Sequence, residues 1–364
     1  MTPVHLSQAR LSCAFGDDLA AAARAYRQGE QATAQVFALH ETGLPRSCLR
    51  VPGPDRPLRA RLREQVEASG DDWRDSFLVV ASTTLDIAEL EVAAAAGATL
   101  DTHFATPLDR LAAELRAAYG FAAAFTLNTA CTSAANALLH AARLIARGRY
   151  PRALVLAFET PSQIARQGFG VLELASPSGR YRPFHPARDG LVLGEAYASV
   201  LLQASRDTQA IGRLLGGASA CDTTSLTSTR EDGSHIERIV RRALADADTR
   251  AEQVALLKLH GTATQANDEA EANGMRRVFG DALPPAFLLK PALGHTLGAC
   301  GLCETLLMLE ALRQGALPPC DYAAEALLPL AAQPFAAPPG ARWLANYFGF
   351  GGNNASLVLE GLPA

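Results

Sequence analysis

Long apolar runs are missing from this 364-residue sequence. No stretch of 18 uncharged apolar residues occurs, which argues against a transmembrane helix. The N-terminus has no basic start followed by an apolar stretch, so a signal peptide is not expected and a cytoplasmic location is. The net charge of -4 gives no indication of nucleic acid or of an anionic membrane surface as a partner.

Cysteine and lysine are informative through their scarcity. The seven cysteines are odd in number and scattered, which argues against a disulfide framework and favours a reducing compartment. Only two lysines occur, Lys258 and Lys290, and each stands shortly before a histidine that adjoins glycine. Because positive charge is otherwise carried by arginine, these lysines indicate sites suited to a compact ammonium, although chance stays an alternative, above all for Lys258.

The sequence does contain a regular alternation of apolar runs and small-residue segments. Strands are predicted at 77–81, 153–158, 192–202, 254–259 and 286–289, and helices at 89–96, 108–118, 131–146, 236–247, 268–278 and 300–313. A hairpin is predicted at the end of the chain, from 343–348 and 356–360. Segments 129–144 and 295–309 both run from a loop into an Ala/Leu/Gly-rich helix. The pattern predicts a layered α/β fold, with an internal duplication as an open possibility.

One cysteine stands where an apolar helix is predicted to begin. Cys131 lies in the segment TACTS, 129–133, among small residues that leave room for a substrate. The positive end of a helix lowers the pKa of a thiol, which favours a nucleophile at this position. A buried structural cysteine is equally compatible with the segment read alone.

Two histidines have matching surroundings. His260 and His295 each lie in a glycine-flanked loop after a predicted strand, where sites gather in α/β folds. A single histidine is more often a satisfied core or surface residue, but two in the same context favour a site. The turn FGFGGNN, 348–354, offers backbone N–H groups around Phe350 that suit an oxyanion, and a plain hairpin turn is the alternative.

In this order the motifs resemble those of the elongating β-ketoacyl-[acyl-carrier-protein] synthases of the thiolase superfamily. The matches are TACTS at 129–133, HGTAT with the D-x-x-E of Asp268 and Glu271, K-x4-H at Lys290 and His295, RPF…RDG…GE at 182–195, and FGFGG at 348–352. The resemblance implies a thiolase-like fold, with two pseudo-duplicated α/β halves in five αβαβα layers. It also implies an N-terminal half, 1–205, that carries the nucleophile and a C-terminal half, 206–364, that carries both histidines.

The resemblance implies a decarboxylative condensation. Cys131 would take an acyl chain from a carrier protein, and His260 and His295 would hold the malonyl carbonyl while carbon dioxide leaves. The backbone N–H groups of Cys131 and Phe350 would bind the oxyanion. Lys290 would pair with Glu271 and orient His295. No metal or organic cofactor is expected, because both substrates arrive on the phosphopantetheine of an acyl carrier protein.

The remaining expectations concern the acyl pocket, supporting residues and partners. Phe350 would gate the acyl pocket, Phe169 would line it, and Asp268 and Glu271 would be supporting residues. Arg56, Arg59, Arg63 and Arg182 are candidates for docking an acidic carrier protein, with a solvated surface as the alternative. The family forms dimers, so a homodimer, or a heterodimer with a related synthase or chain-length subunit, is expected.

Some features depart from the family pattern or favour other functions. Segment 4–16 is shorter and more polar than the usual first strand, Tyr197 replaces a small residue, and the Arg-rich N-terminal region resembles the synthases of aryl-polyene pathways. A degradative thiolase would need a second cysteine in the terminal turn, and an initiating synthase would use Cys-His-Asn. Cys300 and Cys303 are assigned to helix packing rather than to zinc or redox chemistry, because no second pair has ligand spacing. The main alternative is a non-catalytic subunit, like a chain-length factor, in a heterodimeric synthase.

Overall fold

The computed structural model describes residues 1–39, 43–70, 72–98, 108–223 and 230–363. The strands in these residues are β1 (Val4–Ser12), β2 (Ala34–Ala38), β3 (Pro45–Leu49), β4 (Ser76–Ala81), β5 (Ala123–Leu127), β6 (Arg152–Glu159), β7 (Leu193–Gly194), β8 (Ala196–Gln203), β9 (Gly212–Cys221), β10 (Val254–Lys258), β11 (Ala286–Phe287), β12 (Arg342–Phe348) and β13 (Asn353–Gly361). The helices are α1 (Leu19–Arg27), α2 (Leu58–Glu67), α3 (Ile87–Ala95), α4 (Arg110–Tyr119), α5 (Ser133–Ala146), α6 (Gln163–Val171), α7 (Ser234–Asp246), α8 (Gln265–Phe279), α9 (Lys290–Leu293) and α10 (Cys300–Gln314).

The main sheet is built from two halves with the same topology. Its strand order across the described residues is β11-β10-β12-β13-β9-β1-β8-β6-β4-β5. From the centre outward, β1-β8-β6 pair antiparallel and β6-β4-β5 pair parallel. In the other half, β9-β13-β12 pair antiparallel and β12-β10-β11 pair parallel. The two halves meet where β1 pairs antiparallel with β9, so the predicted pseudo-duplication is confirmed.

The hydrophobic core divides into layers that follow from the buried faces. The central cluster holds α5 and α10 between the halves of the sheet. One outer cluster packs α2 and α4 against β4 and β6, and the other packs α7 and α8 against β10 and β12. The two central helices approach closely at Gly301, where an added Cβ would lie 2.3 Å from the backbone N of Ala135. The predicted αβαβα layering is therefore confirmed.

The local sequence explains where several elements begin and end. All residues of β4 are buried, as expected for a strand that is paired on both sides and covered on both faces. Helix α4 ends at Gly120, which adopts a left-handed φ of 74° that glycine tolerates best. Helix α6 begins after Ser162, whose hydroxyl accepts a hydrogen bond from the Ala165 N–H.

Several predicted elements differ from the observed ones. The run predicted as one strand at 192–202 forms the short β7 and then β8. The helix predicted from residue 131 begins at Ser133, because Ala130 has a left-handed φ of 51° and turns the chain before the helix starts. The boundary predicted between 205 and 206 falls in the connection from β8 to β9, and as a domain boundary it stays a prediction. In the described part of the chain, no helix is both long and apolar enough to cross a membrane.

Candidate active site

Cys131 lies in the tight turn that joins β5 to α5. The Thr129 N–H donates to the Ser133 hydroxyl oxygen at 2.9 Å, and that hydroxyl donates to the Ala130 carbonyl at 2.6 Å. These two bonds hold the left-handed conformation of Ala130, which a residue with a side chain adopts at some cost. The turn thus fixes Cys131 just ahead of the first turn of α5, with only 6% of the residue exposed.

Burial determines the protonation state of Cys131. It raises the pKa of the thiol well above its usual value, the neighbouring Cys300 raises it further, and Lys290 opposes the rise. The lowered pKa expected from the helix terminus is therefore wrong for this enclosed position, since desolvation disfavours the thiolate more than nearby positive charge favours it. In the resting site the group is a thiol, so any attack by its sulfur must be accompanied by movement of its proton.

The loop that carries His260 is anchored by two buried carboxylates of α8. The backbone N–H groups of His260 and Gly261 donate to Glu271 at 2.8 and 3.0 Å. The Thr262 N–H donates to Asp268 at 2.9 Å. Burial raises the pKa of Asp268 to about 6 and that of Glu271 to about 7, against the effect of these hydrogen bonds. The two carboxylates thus hold the loop in place by accepting hydrogen bonds from its backbone N–H groups.

The two imidazoles face each other at the junction of the halves. Their ring centroids are 5.5 Å apart and their planes are nearly perpendicular, at 81°. His295 lies between α9 and α10, and its backbone N–H donates to the Val192 carbonyl at 2.7 Å. Burial lowers the pKa of both imidazoles well below the usual value, and Lys290 lowers them further. Both rings are therefore neutral at neutral pH.

Lys290 fixes the tautomer of His260. Its Nζ lies 3.2 Å from Nδ1 of His260. An ammonium can only donate, so Nδ1 must accept, and the proton of the neutral ring resides on Nε2. His260 therefore has an N–H donor at the nitrogen farther from the lysine.

The predicted partner of Lys290 is wrong. Lys290 forms its ion pair with Glu304 of α10, at 2.7 Å, and not with Glu271. The imidazole that Lys290 contacts is that of His260 and not that of His295. Nδ1 of His295 has no hydrogen-bond partner within the described residues. Burial lowers the pKa of the Lys290 ammonium, but Glu304 together with Cys300 and Cys131 raises it overall. The D-x-x-E motif gives no indication of Glu304, although an acid among the apolar residues of α10 was a usable signal.

The Gly-rich turn between β12 and β13 lies directly against the Cys131 turn. A Cβ on Gly349 would lie 3.0 Å from the backbone N of Cys131. Gly352 has φ of 72°, and a Cβ there would lie 1.8 Å from the Asp222 carbonyl oxygen, so only glycine fits. Between them, Phe350 stacks on Phe169 of α6, with ring centroids 5.7 Å apart and an interplanar angle of 19°.

These elements enclose one cavity of about 230 Å³. Its walls include Cys131, both imidazoles and the two stacked phenylalanines; the other lining residues are Leu174, Leu191, Thr262, Thr264, Gln265, Ala266, Asn267, Phe348, Gly349, Gly352 and Asn354. The structure therefore brings together the nucleophile, histidine, gate and pocket residues of the sequence analysis. Their individual roles remain predictions, as does the absence of a cofactor.

The predicted docking arginines lie outside this cavity. Arg59 is paired with Glu89 and with Glu114, Arg56 is paired with Glu64, and Arg182 donates to the Ala187 carbonyl. Arg63 is exposed on α2. Their docking role stays a prediction.

The Cys300-x-x-Cys303 pair is buried in α10 as free thiols. The Cys300 thiol donates to the Cys131 carbonyl at 3.0 Å, so the first of the two packs directly on the nucleophile turn.

Comparison with known families covers both halves of the molecule. Residues 90–208 match the N-terminal domain of β-ketoacyl synthases, and residues 211–321 match the C-terminal domain. The chain belongs to the β-ketoacyl synthase family. The curated 3-oxoacyl-[acyl-carrier-protein] synthase 2 of Vibrio cholerae serotype O1 is 32% identical over 255 residues, which is 64% of this chain and 61% of that protein. Polyketide synthase ThaG of Burkholderia thailandensis is 32% identical over 330 residues, 80% of this chain and 6% of that protein.

Solved ketosynthases share the fold over nearly the whole chain. The ishigamide ketosynthase/chain length factor gives a TM-score of 0.85 at 24% identity, covering 100% of both chains. The ketosynthase ApeO in complex with its chain length factor ApeC, from Xenorhabdus doucetiae, gives 0.82 at 24% identity, covering 99% of this chain and 98% of that one. The chain therefore has the thiolase-like ketosynthase fold. Its matching segment spans only about three fifths of the Vibrio relative.

Proposed function

We propose that this protein is a β-ketoacyl-[acyl-carrier-protein] synthase that lengthens an acyl chain held on Cys131, in fatty acid or polyketide synthesis. One observation carries the proposal: a single enclosed cavity joins the Cys131 thiol to two neutral imidazoles, one of which has its proton fixed on Nε2. Thiol and imidazoles together supply a nucleophile and N–H donors for a carbonyl oxygen. A thioester carbonyl is the group that requires both.

The first half-reaction transfers the acyl group. The Cys131 sulfur attacks the acyl thioester, a new S–C bond forms, and the bond to the carrier's phosphopantetheine sulfur breaks. The proton of the Cys131 thiol ends on the departing sulfur. Because the neutral His260 ring carries its proton on Nε2 and its Nδ1 accepts from Lys290, the relay of the thiol proton is assigned to the neutral His295.

The second half-reaction removes carbon dioxide from a malonyl thioester. The C–CO₂ bond breaks, its electrons form an enolate, and the negative charge grows on the thioester oxygen. The Nε2–H of His260 donates to this oxygen, and His295 completes the site. Neutral donors that are already oriented favour the enolate over the ground-state carbonyl.

The final step joins the two groups. The enolate carbon attacks the acyl-Cys131 carbonyl, and collapse breaks the S–C bond to release the 3-oxoacyl carrier protein and the Cys131 sulfur, which regains a proton. The oxyanion of this step is assigned to the backbone N–H groups of Cys131 and Phe350, supported by the close approach of Gly349 to the Cys131 nitrogen. The Phe169–Phe350 stack lines the site and acts as its gate.

The proposed partners are an acyl carrier protein and a second synthase-like subunit. One related structure is a type II polyketide synthase acyl-carrier protein in complex with its ketosynthase, and two others include a chain length factor. In this chain β5 is the last strand at its end of the sheet within the described residues. Exposed large apolar side chains include Val92 of α3, at 71%, and Ile164 of α6, at 64%. An exposed edge and apolar side chains suit a dimer contact.

The proposal is tested by incubating the purified chain with an acyl carrier protein thioester and a malonyl carrier protein. We expect a 3-oxoacyl carrier protein, detected by the mass of the carrier, and no such product from Cys131→Ala. Addition of a related subunit distinguishes a homodimeric from a heterodimeric enzyme. If wild type and Cys131→Ala behave alike with every partner, the catalytic proposal is wrong and the chain is a partner subunit.

A further inference from the structure

The two lysines of the chain converge on one buried carboxylate. Lys258 ends β10, Lys290 begins α9, and both form ion pairs with Glu304 of α10. All three residues are fully buried. The scarcity of lysine elsewhere makes this convergence informative, since a chain that uses arginine for its other positive charges places both ammonium groups here.

Lys258 leaves the cluster with an uncompensated positive charge. Lys290 alone is sufficient to balance the carboxylate of Glu304. The other contacts of the Lys258 ammonium are neutral: it donates to the Asn346 carbonyl at 3.1 Å and lies 3.7 Å from the centroid of the Tyr347 ring. A second lysine is therefore not needed to neutralise Glu304.

The elements packed around Lys258 present one carboxylate to it directly. Helix α10 presents Glu304 and the Cys300 thiol, α9 presents Lys290, and β12 presents the Tyr347 ring. Glu271 of α8 is reached only through the side chain of Asn346, which donates to it at 3.1 Å. The carboxylate of Glu271 also accepts hydrogen bonds from the backbone N–H groups of the His260 loop.

The extra charge acts on the catalytic imidazoles. Lys258 ends β10, and His260 lies two residues further along the chain, in the loop that follows the strand. It is one of the groups that lower the pKa of both His260 and His295, after burial and Lys290. In a buried site a charge acts over a longer distance than in water, so a second ammonium that touches no substrate still affects the reaction.

We propose that Lys258 is a positioning residue whose ammonium, held by Glu304 beside Lys290, adds a second positive charge to the surroundings of both imidazoles and stabilises the negative charge of the enolate they hold. The role in the enolate step rests on the proposed function, whereas the effect on the imidazoles does not. Lys258 acts through Glu304, His260 and His295 without contacting the reacting atoms.

The charge of Lys258 gives this role a pH dependence. Burial lowers the pKa of Lys258 to about 8, against the opposing effect of Glu304. The ammonium is present below that pH and lost above it. Decarboxylation of a malonyl carrier protein by wild type should therefore decline as the pH rises through about 8.

The first test measures the imidazoles directly. In protein labelled at histidine, nuclear magnetic resonance titration should show higher pKa values for His260 and His295 in Lys258→Met than in wild type. Arg74→Met, which removes an exposed charge, should leave both values unchanged. The wild-type protein also tests the proposal without any substitution. During its pH titration, the ring resonances of both histidines should shift near pH 8 as Lys258 loses its proton. Imidazole pKa values that are unaltered in Lys258→Met, or the absence of that shift, would overturn the proposal.

The second test measures decarboxylation of malonyl carrier protein without an acyl donor. We expect Lys258→Met to lower the rate about tenfold near neutral pH and to lose the decline above pH 8, with little change in acylation of Cys131. Lys258→Arg should keep the charge and also lack the decline. Equal rates and equal pH profiles in all three proteins would reject the role of Lys258 in the enolate step. If wild type does not decarboxylate, the proposed function fails, and the resonance experiment still decides whether Lys258 acts on the imidazoles.

Discussion

The two halves of the molecule share one topology but supply different chemical groups. In each, the outermost parallel strand is followed by a central helix: β5 leads through a short turn into α5, and β11 leads through α9 and a loop into α10. The turn before α5 carries Cys131, and the loop before α10 carries His295. Counted from the first residue of each helix, the position of Glu304 in α10 is occupied in α5 by Ala137. Both positions are fully buried.

This difference shows how one architecture provides two functions. The N-terminal half supplies a thiol in a strained turn and an apolar helix behind it. The C-terminal half supplies both imidazoles and the charged cluster of Glu304 and the two lysines. Because the central helices pack together, the thiol and both imidazoles line one cavity. Substitutions in each half should therefore affect the reaction step assigned to that half, with the largest effect at Cys131.

Cys131→Ala removes the chemical group of the N-terminal half. Acyl transfer and condensation should be lost, because no other thiol lines the cavity within the described residues. Decarboxylation of malonyl carrier protein should persist, because the C-terminal half performs it. Both reactions are followed by the mass of the carrier protein. An alanine variant that still elongates would refute the nucleophile assignment.

His260→Ala and His295→Ala remove the groups of the C-terminal half singly. Condensation should fall about 10³-fold in each, the upper range for loss of one donor to a developing oxyanion. Acylation of Cys131 should be reduced less, because that step forms no enolate for the imidazoles to stabilise. Rapid-quench measurement of the acyl-enzyme separates the two steps. An equal loss of acylation and condensation would count against the assigned roles.

Glu304→Ala makes α10 resemble α5 at the equivalent position. Two buried ammonium groups lose their shared carboxylate, which should lower the free energy of unfolding by about 3 kcal/mol at neutral pH. Urea denaturation followed by circular dichroism measures it. Because Glu304 raises the pKa of both lysines, its removal lets them release their protons at lower pH, and part of the loss should be recovered as the pH rises above neutral. A pH-independent loss would show that packing rather than charge is responsible.

Gly301→Ala tests the contact between the central helices. The new Cβ would meet the Ala135 backbone, which cannot move aside as a side chain can, so the free energy of unfolding should fall by about 2 kcal/mol. Gly168→Ala is the matched control, since nothing lies within 4 Å of its Cβ position in α6. The same urea experiment on both variants gives the difference. Equal stabilities would mean that the helices can separate without cost.

The sequence was sufficient for the layered fold and for the residues of the cavity, because both depend on local patterns in a fixed order. It was insufficient for pairings across elements. From the D-x-x-E motif, Lys290 was predicted to pair with Glu271, whereas it forms its ion pair with Glu304 of α10. The strand β9 was missed because glycines interrupt its apolar pattern, and β1 because polar residues do. The pKa of Cys131 was assigned the wrong direction because burial cannot be read from the helix position alone.

The most direct test is whether Cys131 carries the acyl chain. After incubation with an acyl carrier protein thioester, intact-protein and peptide mass spectrometry should find one acyl group per chain, located on the peptide of Cys131. Malonyl carrier protein should then remove that group and yield a 3-oxoacyl carrier protein. No increment on Cys131 with any carrier or partner subunit, or an acyl group on another cysteine, would contradict the account.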